Sequence, residues 1–232
     1  MATQQYMFVK ASILAVGLVF CGSSAALATS ITLFNTGVNS SGSPLTDGTL
    51  GDPHYTLQSV PAGSTSTIRV RTSAGGYPVT PGTYIGDDGL SNWIGPNNDS
   101  ALDGQVGNYD YRTTFDLTGF NLASVSITGG WSTDNVGTEI VLNGTNTGAA
   151  TTAFNQFATG FAPFSITSGF VPGINTLDFI VNNAGGPTAL RVEMTGSGNL
   201  TSAVAAPEPA TLTLLGLGLT AMCSRRRRQR RP

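Results

Sequence analysis

A period of two restricts the fold more than any other feature of this chain. In "YDYRTTFDL" the residues Tyr109, Tyr111, Thr113, Phe115 and Leu117 fall on one side, and Asp110, Arg112, Thr114 and Asp116 on the other. Only an extended backbone sends alternate side chains to opposite faces, so the run predicts a strand half buried against a core. The same alternation recurs in "SVSIT" (Val125, Ile127), "TLDFIVN" (Leu177, Phe179, Val181) and "ALRVEMT" (Leu190, Val192, Met194). Between the runs stand turn formers. Asn143-Gly144 after "TEIVL" predicts a tight hairpin, because both positions of a type I′ turn need positive φ, and Pro172-Gly173 and Gly186-Pro187 bracket the Leu177 strand. Short strands separated by turns predict an all-β chain folded as a single jelly-roll-like β-sandwich.

The first half is less regular. "HYTLQSV" and "TIRVRT" read as strands, but residues 73–108 are rich in Gly, Pro, Asn and Asp and only weakly periodic. A stretch of that length inside a compact domain is either a functional loop or several short strands.

Charge narrows the partners. Between residues 29 and 206 the basic residues are Arg69, Arg71, Arg112 and Arg191, against twelve carboxylates, a net charge of -8. A body of that sign is unsuited to phosphate contacts, which argues against nucleic acid as a ligand.

Both ends differ from the body. The first 28 residues carry Lys10, an apolar stretch from Ala11 to Phe20, and the small-residue run Ala26-Leu27-Ala28, the layout of a secretory signal peptide cut by signal peptidase after Ala28. Removal of that segment takes Cys21 away and leaves Cys223 alone, so the body forms no internal disulfide and depends on core burial. At the other end Pro207, Glu208 and Pro209 precede an apolar run, Ala210 to Ser224, and then Arg225, Arg226, Arg227, Arg228, Arg230 and Arg231. As a helix the apolar run would measure about 22 Å, short of a hydrocarbon core of about 30 Å, so it makes a poor permanent span. The arginines supply much of its hold on a membrane and, by the positive-inside tendency, keep its end cytoplasmic. Two prolines keep Glu208 in an extended, readable stretch.

Proline-glutamate-proline, apolar segment and basic cluster in that order resemble the PEP-CTERM sorting signal. The resemblance implies a short transmembrane sorting helix held in the inner membrane, processing by an exosortase, and delivery to the cell surface or the exopolysaccharide matrix. Residues 52–198, with Trp131, Asp134-Asn135, Asn143-Gly144 and the Asn175 to Asn183 region, resemble a jelly-roll domain of exported bacterial proteins with such tails. They are also similar in broad architecture to the galactose-binding-like sandwiches of carbohydrate-binding modules. The expected organisation is a signal peptide (1–28), a sandwich (29–198), a linker (199–206) and a sorting tail (207–232).

Catalytic machinery is sparse in the sequence. His54 is the single histidine, and no serine sits in a nucleophile-elbow motif. Glu139 and Glu193 each alternate with core residues and are expected to face solvent, which disfavours the facing carboxylate pair of a glycosidase. Asp87, Asp88, Asn97, Asn98, Asp99 and Asp103 supply hard oxygen atoms suited to calcium, with Asp87, Asp88, Asp99 and Asp103 the candidate carboxylates; the same residues also serve as turn formers. Trp93, Tyr77 and Tyr84 are candidate sugar contacts, with Trp93 equally readable as a core plug, whereas Trp131 reads as core. The expected function is that of an exported, non-catalytic surface or matrix protein, carbohydrate-binding in its leading form, with a polysaccharide-acting enzyme or its accessory module as the alternative.

Overall fold

The computed structural model describes residues 28–149 and 151–201. Apart from Ala28, which opens the first strand, the signal segment lies outside the described residues, and so does the sorting tail with its Pro-Glu-Pro element and arginines.

Among the described residues eleven strands form two antiparallel sheets packed as a β-sandwich. They are β1 (Ala28–Ile31), β2 (Thr56–Ser59), β3 (Ile68–Arg71), β4 (Trp93–Pro96), β5 (Gly107–Asp116), β6 (Ser126–Asp134), β7 (Val136–Leu142), β8 (Thr145–Asn146), β9 (Ala162–Ile166), β10 (Ile174–Asn183) and β11 (Ala189–Asn199). One sheet has the order β3-β4-β11-β6-β9, with β1 also on β11; the other runs β2-β5-β10-β7-β8. From β5 onward the chain changes sheet at nearly every connection, which is the jelly-roll habit.

The alternation read from the sequence is the one that packs. Tyr109, Tyr111, Phe115, Leu177, Phe179 and Val181 from one sheet meet Ile127, Trp131, Leu190, Val192 and Met194 from the other in a single apolar core. Aromatic rings cross the gap between the sheets: Phe179 lies 5.8 Å from Trp131 and 5.9 Å from Phe164, centroid to centroid. Gly137 is required where β7 passes Trp131, since a Cβ there would come within 2.4 Å of the indole. The predicted hairpin is present, with Leu142 opposite Thr145 and Asn143 and Gly144 at φ 51° and 79°.

Residues 73–108 contain one strand that the sequence did not announce. β4 pairs with β3 and β11 and is buried at all four positions, so it shows no alternation. The rest of the segment folds over the outward face of β11 and makes a local third layer. Its small second core comprises Val79, Tyr84, Trp93, Leu102 and Ala189, with Ile85 and Phe157 packed against it. Phe157 comes from the one-turn helix α1 (Gln156–Thr159), tied on by a bond from Ile85 N to its carbonyl.

This layer changes one expectation and buries a charge. Arg191 occupies an outward position on β11 yet is fully buried, because the layer covers it. Glu193, expected to face solvent, is half-buried for the same reason, whereas Glu139 on the other sheet is exposed as expected.

Candidate functional site

One end of the sandwich carries an open groove of about 580 Å³, lined by Gly63, Ser64, Thr65, Asn97, Asn98, Asp99, Asp103, Gly104 and Gln105. Two loops make it: the turn before β3 and the turn after β4. Asn98 ties the walls together, its Oδ1 accepting from Thr65 N (3.2 Å) and its Nδ2 donating to Asp103 O (2.6 Å). Asp99 Oδ1 accepts from Ala101 N and Asp103 N, a local turn of the kind short carboxylates favour. Asn97 Oδ1 accepts from Arg69 Nε at 2.7 Å, so that amide oxygen is already engaged.

The scaffold holds the floor. Asn183 at the end of β10 donates to Gly104 O and Gln105 O, and the Tyr109 hydroxyl meets both Ser64 Oγ and Gln105 O. Gly104 is needed there, because a Cβ would approach the Tyr109 hydroxyl to 2.5 Å. Leu102, between Asp99 and Asp103 at φ 60°, is fully buried in the small second core. Among the described residues the Asp103 carboxylate and the Gln105 amide make no side-chain hydrogen bond, and both are exposed. Fixed walls with unengaged acceptors and donors suit a ligand rich in hydroxyl groups.

The outer layer is a second polar assembly, gathered around a buried guanidinium. Buried Arg191 donates to Ser91 Oγ (2.7 Å) and Gly86 O (2.7 Å), pairs with Asp88 (2.8 Å) and Glu193 (3.4 Å), and stacks 5.4 Å from the Phe161 ring centre. Burial and the neighbouring Asp88 carboxylate raise the Glu193 pKa, only partly opposed by Ser91. Burial would also raise Asp88, but bonds from Leu90 N and from Glu193, with the charge of Arg191, outweigh it and hold that carboxyl below its usual range. Both carboxyls pair with the same Arg191 guanidinium. Deeper in the layer Asp134 accepts from the Tyr84 hydroxyl and from Asn135 Nδ2, yet burial pushes its pKa up to about 6.

The sequence-derived site residues therefore separate. Trp93 is fully buried with its Nε1 donating to Ile85 O, and Tyr84 is 5% exposed, so neither ring offers a face for a sugar to stack on; the core-plug reading of Trp93 is the one its position supports. Tyr77 alone of that set is exposed, at 57%. Of the calcium candidates, Asp87 bonds Ser73 and Asp88 is held by Arg191 in the outer layer, while Asp99 and Asp103 lie in the groove. Among the described residues no three His, Cys, Asp or Glu side chains converge as metal ligands. These carboxylates thus fall into two places, Asp87 and Asp88 in the outer layer and Asp99 and Asp103 in the groove. His54 is a loop residue ahead of β2, stacked 3.5 Å from Phe34. Ser64, Thr65 and Gln105 were missed, since nothing in the sequence links "AGSTS" to a turn some forty residues later.

Fold and groove together define a β-sandwich with a polar ligand-sized groove at one end. The tail adds its destination: residues 205–228 match the PEP-CTERM protein-sorting motif. The chain is thus exported, with a membrane-anchored intermediate, to the cell surface or extracellular space. No curated protein matches the chain. Among solved structures it is similar to CBM35 from Paenibacillus barcinonensis, at 15% identity and a TM-score of 0.34, over 63% of this chain and 98% of that one. With so low a score the architecture is read from the strands themselves. Among the described residues no helix is long and apolar enough to cross a membrane.

Proposed function

We propose that this protein is a non-catalytic module of the cell surface or extracellular polymer, and that it binds polysaccharide in the groove between residues 63–65 and 97–105. The observation that carries this reading is the groove's lining. Every side chain in it is a hydroxyl, amide or carboxylate, and Asp103 and Gln105 stand unengaged on walls fixed by Asn98, Asn183 and Tyr109. Hydroxyl-rich ligands are recognised by such placed donors and acceptors. The lining contains no aromatic ring, so the expected binding is weak per sugar and gains from repeated sites along a polymer. An exosortase processes the tail on the way out, and the membrane holds the chain until then.

The test is a glycan array and affinity electrophoresis with the mature protein and with the double variant Asp103→Ala, Gln105→Ala. Retained polysaccharides should be released by the double variant while its melting temperature stays the same. Equal retention of both proteins would place binding elsewhere, and release of new reducing ends from any retained polymer would favour the enzymatic alternative.

A further inference from the structure

The strand registers give the sandwich two unlike poles. β5 and β10 run side by side from Gly107 opposite Asn183 to Asp116 opposite Ile174, ten residues whose nine steps span about 30 Å. The groove sits at the first of these poles, bonded to Asn183 through Gly104 and Gln105. Both ends of the described body emerge at the other. Ala28 lies opposite Asn199, Phe120 pairs with Leu200, and Thr201 N donates to Gly119 O.

That second pole is apolar at its tips. Leu200 is 51% exposed, Ile174 64% and Val171 41%, and the Gly173 carbonyl between the last two accepts from Leu117 N, which keeps this turn beside the strand that leads to Phe120. From Thr201 to Ala210, where the apolar run of the tail begins, there are nine residues, which reach at most about 30 Å even when fully extended. Part of that length is used in crossing the headgroup layer, several Å deep on each side. A tether this short holds the Leu200 pole at the membrane at an effective concentration of about millimolar, so even a few apolar tips suffice for contact.

We infer that, while the tail is inserted, the pole formed by Val171, Ile174 and Leu200 rests on the lipid surface and the groove pole points away from it. The occupant of these tips is the bilayer, and the contact depends on the tether. Once the tail is processed the local concentration is lost and the domain leaves the surface. This inference rests on the sorting motif and the strand registers and is independent of what the groove binds.

The experiment uses the chain with its tail intact, Cys21 and Cys223 replaced by Ser, reconstituted in vesicles of phosphatidylethanolamine and phosphatidylglycerol. A single cysteine placed by Ile174→Cys, or by Val106→Cys at the groove pole, carries an environment-sensitive fluorophore; the two positions are similarly exposed, at 64% and 67%. The label at 174 should shift to the blue and lose at least half its intensity to a quencher carried on the lipid, and the label at 106 should do neither. Proteolytic release of the tail should abolish the difference. The inference is overturned if both labels are quenched equally, or if the label at 174 is shielded from an aqueous quencher but out of reach of the lipid-borne one, which would mean that a second copy or another protein covers that pole. The variant Leu200→Ser, altered only at an exposed tip, should reduce quenching at 174 without lowering the melting temperature.

Discussion

The ladder of β5, β6, β10 and β11 and the segment 73–105 that folds over β11 are built by different physics. The ladder buries alternate apolar side chains of two sheets in one core and satisfies its backbone within the sheets. The segment has a core of only a few residues around Trp93 and is otherwise held by directed polar bonds: Arg191 to the 86–91 loop, Asp134 to Tyr84, and Arg71 to Asp47 and to the Gly75 and Tyr77 carbonyls. Non-directional burial tolerates many sequences, whereas each directed bond depends on its particular partner. The groove sits where the two meet, with its chemistry supplied by loops and their position supplied by strands.

The contrast can be broken most severely from the ladder side. Phe179→Ala empties the place where Trp131, Phe164 and Tyr55 converge and is expected to cost about 3 to 5 kcal/mol in urea unfolding, with every probe reporting one transition. Arg191→Met keeps the apolar stem but strands Asp88 and Glu193; because both carboxyls are partly solvated, the expected cost is smaller, about 2 kcal/mol. Its signature is regional: hydrogen exchange should quicken in residues 84–92 and stay slow in β5 and β10.

A third test uses pH. Asp134 has a folded pKa of about 6 against an ordinary value of 3.8, so between these values the folded state binds the proton that the unfolded chain has lost. Its stabilising contribution is complete below about pH 4 and is lost as pH rises through 6, on the order of 3 kcal/mol. Asp134→Asn should therefore remove a downward slope of stability between pH 4 and 6. A difference between wild type and variant that does not change across that window would refute the assignment. The smallest effect is expected in the groove, where Asp103→Ala and Gln105→Ala replace exposed, unbonded side chains and should change stability by less than about 0.5 kcal/mol.

The same contrast explains what could be read in the sequence. Tyr109 to Leu117, Leu177 to Val181 and the Asn143-Gly144 hairpin were legible because a strand's face, and a turn's positive φ, are local properties. Arg191 was not, since alternation reports which way a side chain points and is silent about a distant loop that covers it. "WIGP" concealed β4 because a strand buried on both faces has no alternation, and the same burial removed Trp93 from the candidate sugar contacts. The Asp and Asn wealth of the first half did mark the groove's longer wall, but as candidate metal ligands. Its unengaged groups could be recognised only after Asn98 and Asn183 were seen to occupy the others.

The central claim, that a rigid ladder presents a polysaccharide-binding groove made of loops, is tested most directly by mapping hydrogen exchange of the mature protein with and without a polysaccharide retained on the array. The account predicts slower exchange in residues 61–67 and 97–106 and no change in β5, β6, β10 and β11. Protection that appears instead around Asn35, Leu90, Thr128 and Glu193, where a smaller open hollow lies, or that is absent from both groove loops, would contradict it.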